Sequence, residues 1–156
     1  MATKTTNKPL EVKIKKLSPL AEIPEVMTDG SACFDITTIE AVTLRTLNAS
    51  DKADVLRTGL AFEIPDGYHM KVFLRSSVGL NTKIRLANQV AIIDSDYRGE
   101  LKLIVENPSR GVIKIPAGAR IAQGIIEKNI PVSFKEVKEL SETKRGTGGF
   151  GSTGEA

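Results

Sequence analysis

Apolar residues recur at every second position along much of this chain, and that period points to β-strands. Leu10, Val12 and Ile14 alternate with Glu11, Lys13 and Lys15, which puts the apolar set on one face. The same period returns at Leu101, Leu103 and Val105 against Glu100, Lys102 and Ile104, where Ile104 makes the second face apolar too. Further short runs occupy 42–44, 59–64, 69–74, 90–93, 112–115, 121–126 and 132–137. Turn signals separate them, among them Asp29-Gly30, Pro65-Asp66-Gly67, Asn107-Pro108 and Pro116-Ala117-Gly118. Many short strands with no long segment of helical period predict an all-β sandwich or barrel. At most one short helix fits, around 77–83, and the polar stretch 48–55 predicts a surface loop with room for a helical turn.

Composition narrows the chemistry. The 156 residues suit one domain with its own core. Cys33 is the single cysteine, so no disulfide forms within the chain, and His69 is the single histidine, so no His-cluster metal centre exists. His69 reads as a half-exposed strand residue, Cys33 as a small buried hydrophobe. The longest apolar run, Val90 to Ile93, is far short of the roughly 20 residues that span a bilayer, so no membrane association is expected. The basic N-terminus lacks an apolar stretch of signal type, and a reduced, cytoplasmic setting is the expectation. A net charge of +3 and only five Phe and two Tyr argue against stable nucleic-acid binding.

Several polar segments could carry chemistry. Asp94-Ser95-Asp96-Tyr97-Arg98-Gly99 lies between two strands and predicts a β-hairpin tip, where one carboxylate could act as general base. Arg75-Ser76-Ser77 ends a strand with a guanidinium and hydroxyls, donors suited to phosphate. Arg120 and Gln123 are polar intrusions into an apolar strand, and for Arg120 a buried ion pair is an equal explanation. The last segment, RGTGGFG from Arg145, brings successive glycine N–H groups that can converge on an anion, but it lacks the ending of a P-loop. Phe150 among those glycines could stack on a base. Residues 141–156 thus read as a flexible Gly-rich arm attached to a domain over 1–140.

Together and in this order, SACFDI (31–36), Arg75-Ser76-Ser77, residues 88–99, GARIAQ (118–123) and RGTGGFGSTG (145–154) resemble the five motifs of the trimeric dUTP pyrophosphatases, the dUTPases. The resemblance implies a jelly-roll-like distorted β-barrel, a homotrimer with active sites shared between subunits, and Mg²⁺-dependent hydrolysis of dUTP to dUMP and pyrophosphate. It also implies roles. Asp94 would be the base that directs water at the α-phosphorus, and Tyr97 would lie against deoxyribose and exclude a 2′-hydroxyl. Backbone from Asn88 to Asp94 would read uracil, with Asn88 as a side-chain candidate. Arg75, Ser76, Ser77 and Gln123 would contact the triphosphate, and Asp35 would hold magnesium through water. From the arm, Arg145, Gly149 and Gly151 would hold the terminal phosphates while Phe150 stacks on uracil.

The chain departs from the motifs at Cys33, Ile36, Leu74 and Ser77, the last standing where the family has glycine. Arg75-Ser76-Ser77 is also similar to the phosphate motif of the dCTP deaminases. That branch carries a catalytic Glu where this chain has Ile104, and it lacks the combination of Tyr97 with a RGTGGFG arm.

Overall fold

The computed structural model describes residues 9–46 and 52–149, and all that follows concerns those residues. The strands are β1 (Lys13–Lys16), β2 (Phe34–Thr37), β3 (Val42–Leu44), β4 (Asp54–Glu63) and β5 (Tyr68–Leu74). After the single helix α1 (Ser76–Thr82) come β6 (Arg85–Leu86), β7 (Ala91–Ile93), β8 (Glu100–Glu106), β9 (Ile113–Ile115) and β10 (Arg120–Lys128). They form two four-stranded antiparallel sheets, ordered β1-β4-β8-β6 and β2-β10-β5-β7, and a small β3-β9 ladder.

Alternation is converted directly into a core. On β8, Leu101, Leu103 and Val105 are fully buried while Ile104 stays 41% exposed. Their partners come from both sheets: Leu56, Leu60 and Phe62 of β4, and Ile36, Met70, Val72 and Ala122 of the second sheet, join one apolar cluster. Burying each such side chain stabilises the fold by roughly 1.5–3 kcal/mol before entropy is counted. The all-β expectation holds, and so does the single short helix. β1, β6 and β7 each have a partner on one side only, and β2 has just an isolated bridge from Phe34 to Val26 on its second side, so among the described residues the sheets form a sandwich with open edges, not a closed barrel. Exposed Lys13, Lys15 and Lys16 on the β1 edge discourage pairing with other strands.

Four expectations change. The segment 94–99 is not a hairpin tip: β7 pairs with β5 in one sheet and β8 with β4 and β6 in the other, so it is a corner that crosses between sheets. A local strand–turn–strand pattern cannot tell these two apart, because the choice of partner is long-range. The run 132–137 forms no strand, and Val132 and Phe134 are 73% and 97% exposed. Alternation supplies a face, but a strand also needs a neighbour for its backbone N–H and C=O groups. Finally, Asp54 and Val55 open β4 instead of ending a loop, and residues 48–51 lie outside the described residues. Cys33 is half-buried, not in the core.

Candidate active site

The second sheet gathers three of the five motifs at one end. Asp35 on β2 stands directly opposite Gln123 on β10, and Gln123 is opposite Phe73 on β5. Directly paired residues point to one face, so Asp35 and Gln123 are neighbours on it. Arg75 follows β5, and its backbone N–H donates to the Ile121 carbonyl at 3.1 Å, continuing the ladder one residue beyond the strand. From there its Nε donates to Asp35 Oδ1 at 3.0 Å, while Arg120 Nη1 donates to Asp35 Oδ2 at 3.3 Å. Asp35 is thus clasped by two guanidinium groups, and Arg75 Nη1 reaches the Arg120 carbonyl at 3.4 Å. The ion pair anticipated for Arg120 exists, but the Arg120 side chain is half-exposed. Gln123 Nε2 donates to the Leu74 carbonyl at 3.4 Å. Ser76 and Ser77 open α1 with exposed side chains.

β2 keeps close contact with β10 because Gly124 faces Phe34. A Cβ at Gly124 would meet the Phe34 ring at 2.6 Å, so the missing side chain is the space the ring occupies. β2 and β6 were the strands that periodicity missed, since four and two residues give too short a pattern to stand out.

The sheet-crossing corner forms a second cluster. Arg98 Nη1 donates to the carbonyls of Ser95 and Tyr97 at 2.6 and 3.1 Å, and the Tyr97 N–H donates to the Asp94 carbonyl at 3.2 Å. Tyr97 lies across Gly99, where a Cβ would meet the ring carbon Cζ at 2.6 Å, and its hydroxyl donates to the Glu100 carbonyl at 3.1 Å. Asp94, Tyr97, Glu100 and Lys102 line a cavity of about 350 Å³, together with apolar Val55, Ile92, Ile93 and Ile104. It has room for a sugar and base, with two carboxylate residues, Asp94 and Glu100, in its lining beside an apolar wall. Asn88 is exposed between β6 and β7. Glu100 was not singled out from the sequence, where a Glu opening a strand has no distinguishing signal.

One chain does not bring the two clusters together. Ile93 is opposite Met70, so Asp94 falls level with His69. Arg75 lies six residues further along β5, which at about 3.3 Å per residue is roughly 20 Å. Among the described residues no hydrogen bond or ion pair joins Asp94 or Tyr97 to Asp35, Arg75 or Gln123. Among the described residues the arm makes no hydrogen bond or ion pair to either cluster. Arg145 Nε donates to the Gly148 carbonyl at 2.8 Å, a bond within the arm itself, and Gly149 is half-buried. Phe150 and Gly151 lie outside the described residues.

As for a metal, the described residues contain no group of three or more His, Cys, Asp or Glu able to hold an ion. Asp35 still has lone pairs, because each oxygen accepts one guanidinium N–H and can accept another donor. That donor set fits an outer-shell partner of a hydrated ion and excludes an all-protein cage.

Residues 20–154 match the dUTPase family. The chain is 39% identical over 145 residues to the deoxyuridine 5'-triphosphate nucleotidohydrolase of Helicobacter pylori (strain P12), covering 93% of this chain and 97% of that protein. It is 41% identical over 145 residues to the protein of the same name from Nautilia profundicola, covering 93% and 99%. Among solved structures, the dUTPase of Staphylococcus bacteriophage 80alpha with dUPNHPP superposes with a TM-score of 0.83 at 28% identity, covering 92% of this chain and 98% of that one. Agreement of sequence, fold and motif order over nearly the whole length has one reading: the chain belongs to the dUTPase family.

Proposed function

We propose that this chain hydrolyses dUTP to dUMP and pyrophosphate, limiting uracil in DNA and supplying the precursor of dTMP. The observation that carries the reading is the sheet-crossing corner, which sets Asp94 and Tyr97 beside one cavity in a member of the dUTPase family. In this mechanism Asp94 accepts a proton from water as it attacks the α-phosphorus. Tyr97, held against Gly99, packs on the deoxyribose and leaves no room for a 2′-hydroxyl. Backbone between Asn88 and Asp94 reads the uracil edge. Arg75, Ser76, Ser77 and Gln123 bind the triphosphate, with Asp35 orienting Arg75 through the 3.0 Å ion pair. Arg145, Gly149 and Gly151 of the arm cover the terminal phosphates, and Phe150 stacks on the base. Triphosphate hydrolysis is mostly positioning and charge neutralisation, which such a set supplies.

Mg²⁺ is the cofactor in this proposal. Bound, it would neutralise phosphate charge, with Asp35 holding one of its waters. Asp94 and Arg75 are roughly 20 Å apart along β5. That separation supports a homotrimer in which one subunit offers Asp94 and Tyr97, a second Asp35, Arg75 and Gln123, and a third its arm. No helix among the described residues is long and apolar enough to cross a membrane.

The decisive experiment is pyrophosphate release from dUTP, dCTP, dTTP and UTP, with Asp94→Asn beside the native protein. Turnover of dUTP alone is expected, and loss of the base should cut it roughly a hundredfold or more. Equal rates on dTTP and dUTP, or an unimpaired Asp94→Asn variant, would overturn the mechanism.

A further inference from the structure

The Tyr97 hydroxyl has one hydrogen-bond partner among the described residues, the backbone carbonyl of Glu100. Tyr97 as a residue is 46% exposed, so packing alone does not fix its ring. The side chain of the same residue is itself tied to β4. The β4–β8 ladder slips between Arg57 and Ala61: Arg57 faces Lys102 but Ala61 faces Glu100, leaving three β4 residues opposite Leu101 alone. Gly59 lies in this bulge with φ +67°, a backbone conformation that other residues rarely adopt. Its N–H would lack a ladder acceptor, and Glu100 Oε1 accepts it at 2.9 Å.

The same carboxylate accepts Arg57 Nε at 3.2 and 3.1 Å on its two oxygens. Glu100 is nine-tenths buried while Arg57 is half-exposed, so the charge is held in place by the bulge rather than by solvent. Thr58 adds a bond to the Leu101 carbonyl at 2.6 Å, locking the next residue of β8.

We infer that Glu100 is a positioning residue for sugar selection, its carboxylate in the β4 bulge fixing the carbonyl that anchors Tyr97. The inference rests on the reading of Tyr97 as the group that meets the deoxyribose. Glu100 itself touches no reacting atom. With the anchor loosened, the ring can swing out and admit a 2′-hydroxyl, so selectivity should suffer more than turnover of dUTP.

The test compares kcat/KM for dUTP with kcat/KM for UTP in the full chain carrying Glu100→Gln, Glu100→Ala or Tyr97→Ala. Oligomeric state and Tm are recorded for each. Glu100→Gln keeps an acceptor for Gly59 N–H but loses one of the two carboxylate charges that hold Arg57, the other being Glu40 at 3.3 Å, and it carries the measurement should Glu100→Ala fail to fold. The ratio is expected to fall roughly ten- to a hundredfold in the Glu100 variants, with a larger change in Tyr97→Ala. A merely structural role would lower both nucleotides together and leave the ratio untouched. An unchanged ratio in folded Glu100 variants, with Tyr97→Ala impaired, overturns the role of Glu100. An unchanged ratio in Tyr97→Ala overturns the reading of Tyr97, and the role of Glu100 falls with it.

Discussion

Because Tyr97 lies across the backbone of Gly99, a single methyl group decides where the ring can be. A Cβ added at Gly99 would meet ring carbon Cζ at 2.6 Å, a distance that real Cβ atoms do not show. Either the ring or the corner must shift. Gly99→Ala is therefore expected to fold with the native oligomeric state, yet to raise the KM for dUTP and lower kcat/KM by roughly tenfold or more. Steady-state kinetics beside a thermal melt check this; native kinetics would show that the ring is not held where the geometry puts it. Asp35 makes a parallel case. Its carboxylate is taken up by Arg75 and Arg120, so its first effect on the site is to aim the Arg75 guanidinium, which in the proposed mechanism meets the triphosphate.

At the scale of elements, β5 and β10 form the spine of the second sheet, with paired residues from Ala122 opposite Leu74 to Lys128 opposite Tyr68. Lys71 Nζ meets Glu127 Oε2 at 2.6 Å on its exposed face. The Lys71 ammonium, donating to the Glu127 carboxylate, holds that carboxyl below its ordinary value of 4.5. A group depressed in the folded state adds stability above its unfolded pKa and loses it as pH falls through the folded value. The pair should thus strengthen the β5–β10 ladder near neutrality and cease to do so in acid. Glu127→Gln is expected to lower Tm at pH 7 and to narrow its gap from the native protein at about pH 3, as melts across that range would register. The Lys13–Glu63 pair, at 2.7 Å between β1 and β4, depresses Glu63 for the same reason.

For the whole molecule, the governing fact is the spacing of Asp94 and Arg75 at opposite ends of β5. If sites are shared, two defective chains can repair each other. Asp94→Asn and Arg75→Ala homo-oligomers should each be nearly inactive. Co-refolded at equal amounts, they should regain activity at about a quarter of the sites, those that draw native Asp94 and native Arg75 from different subunits. Pyrophosphate release from the mixture measures this, and a mixture no better than its parts would place both residues in one chain's site. The exposed apolar residues Ile130, Val132 and Phe134 also belong to this scale, since they follow β10 and have no cover among the described residues.

Local rules wrote much of this protein into its sequence. The alternation at Leu101, Leu103 and Val105 specifies a strand and its buried face, because side chains on a strand point to opposite sides in turn. The five motifs, read in order, identified the family without reference to any coordinate. Partners were another matter. Whether β7 turns back on β8 or crosses to another sheet depends on contacts distant in sequence, so the hairpin reading failed where the strand readings held. The run 132–137 has the pattern of a strand but no neighbour among the described residues to complete it. The role inferred for Glu100 depends on a bulge 41 residues away in sequence, whose Gly59 N–H its carboxylate accepts. Periodicity and motif chemistry act over a few residues and are legible one after another. Strand pairing, the Asp35 clasp and the Glu100 anchor are choices among distant partners, and only the packed chain makes them.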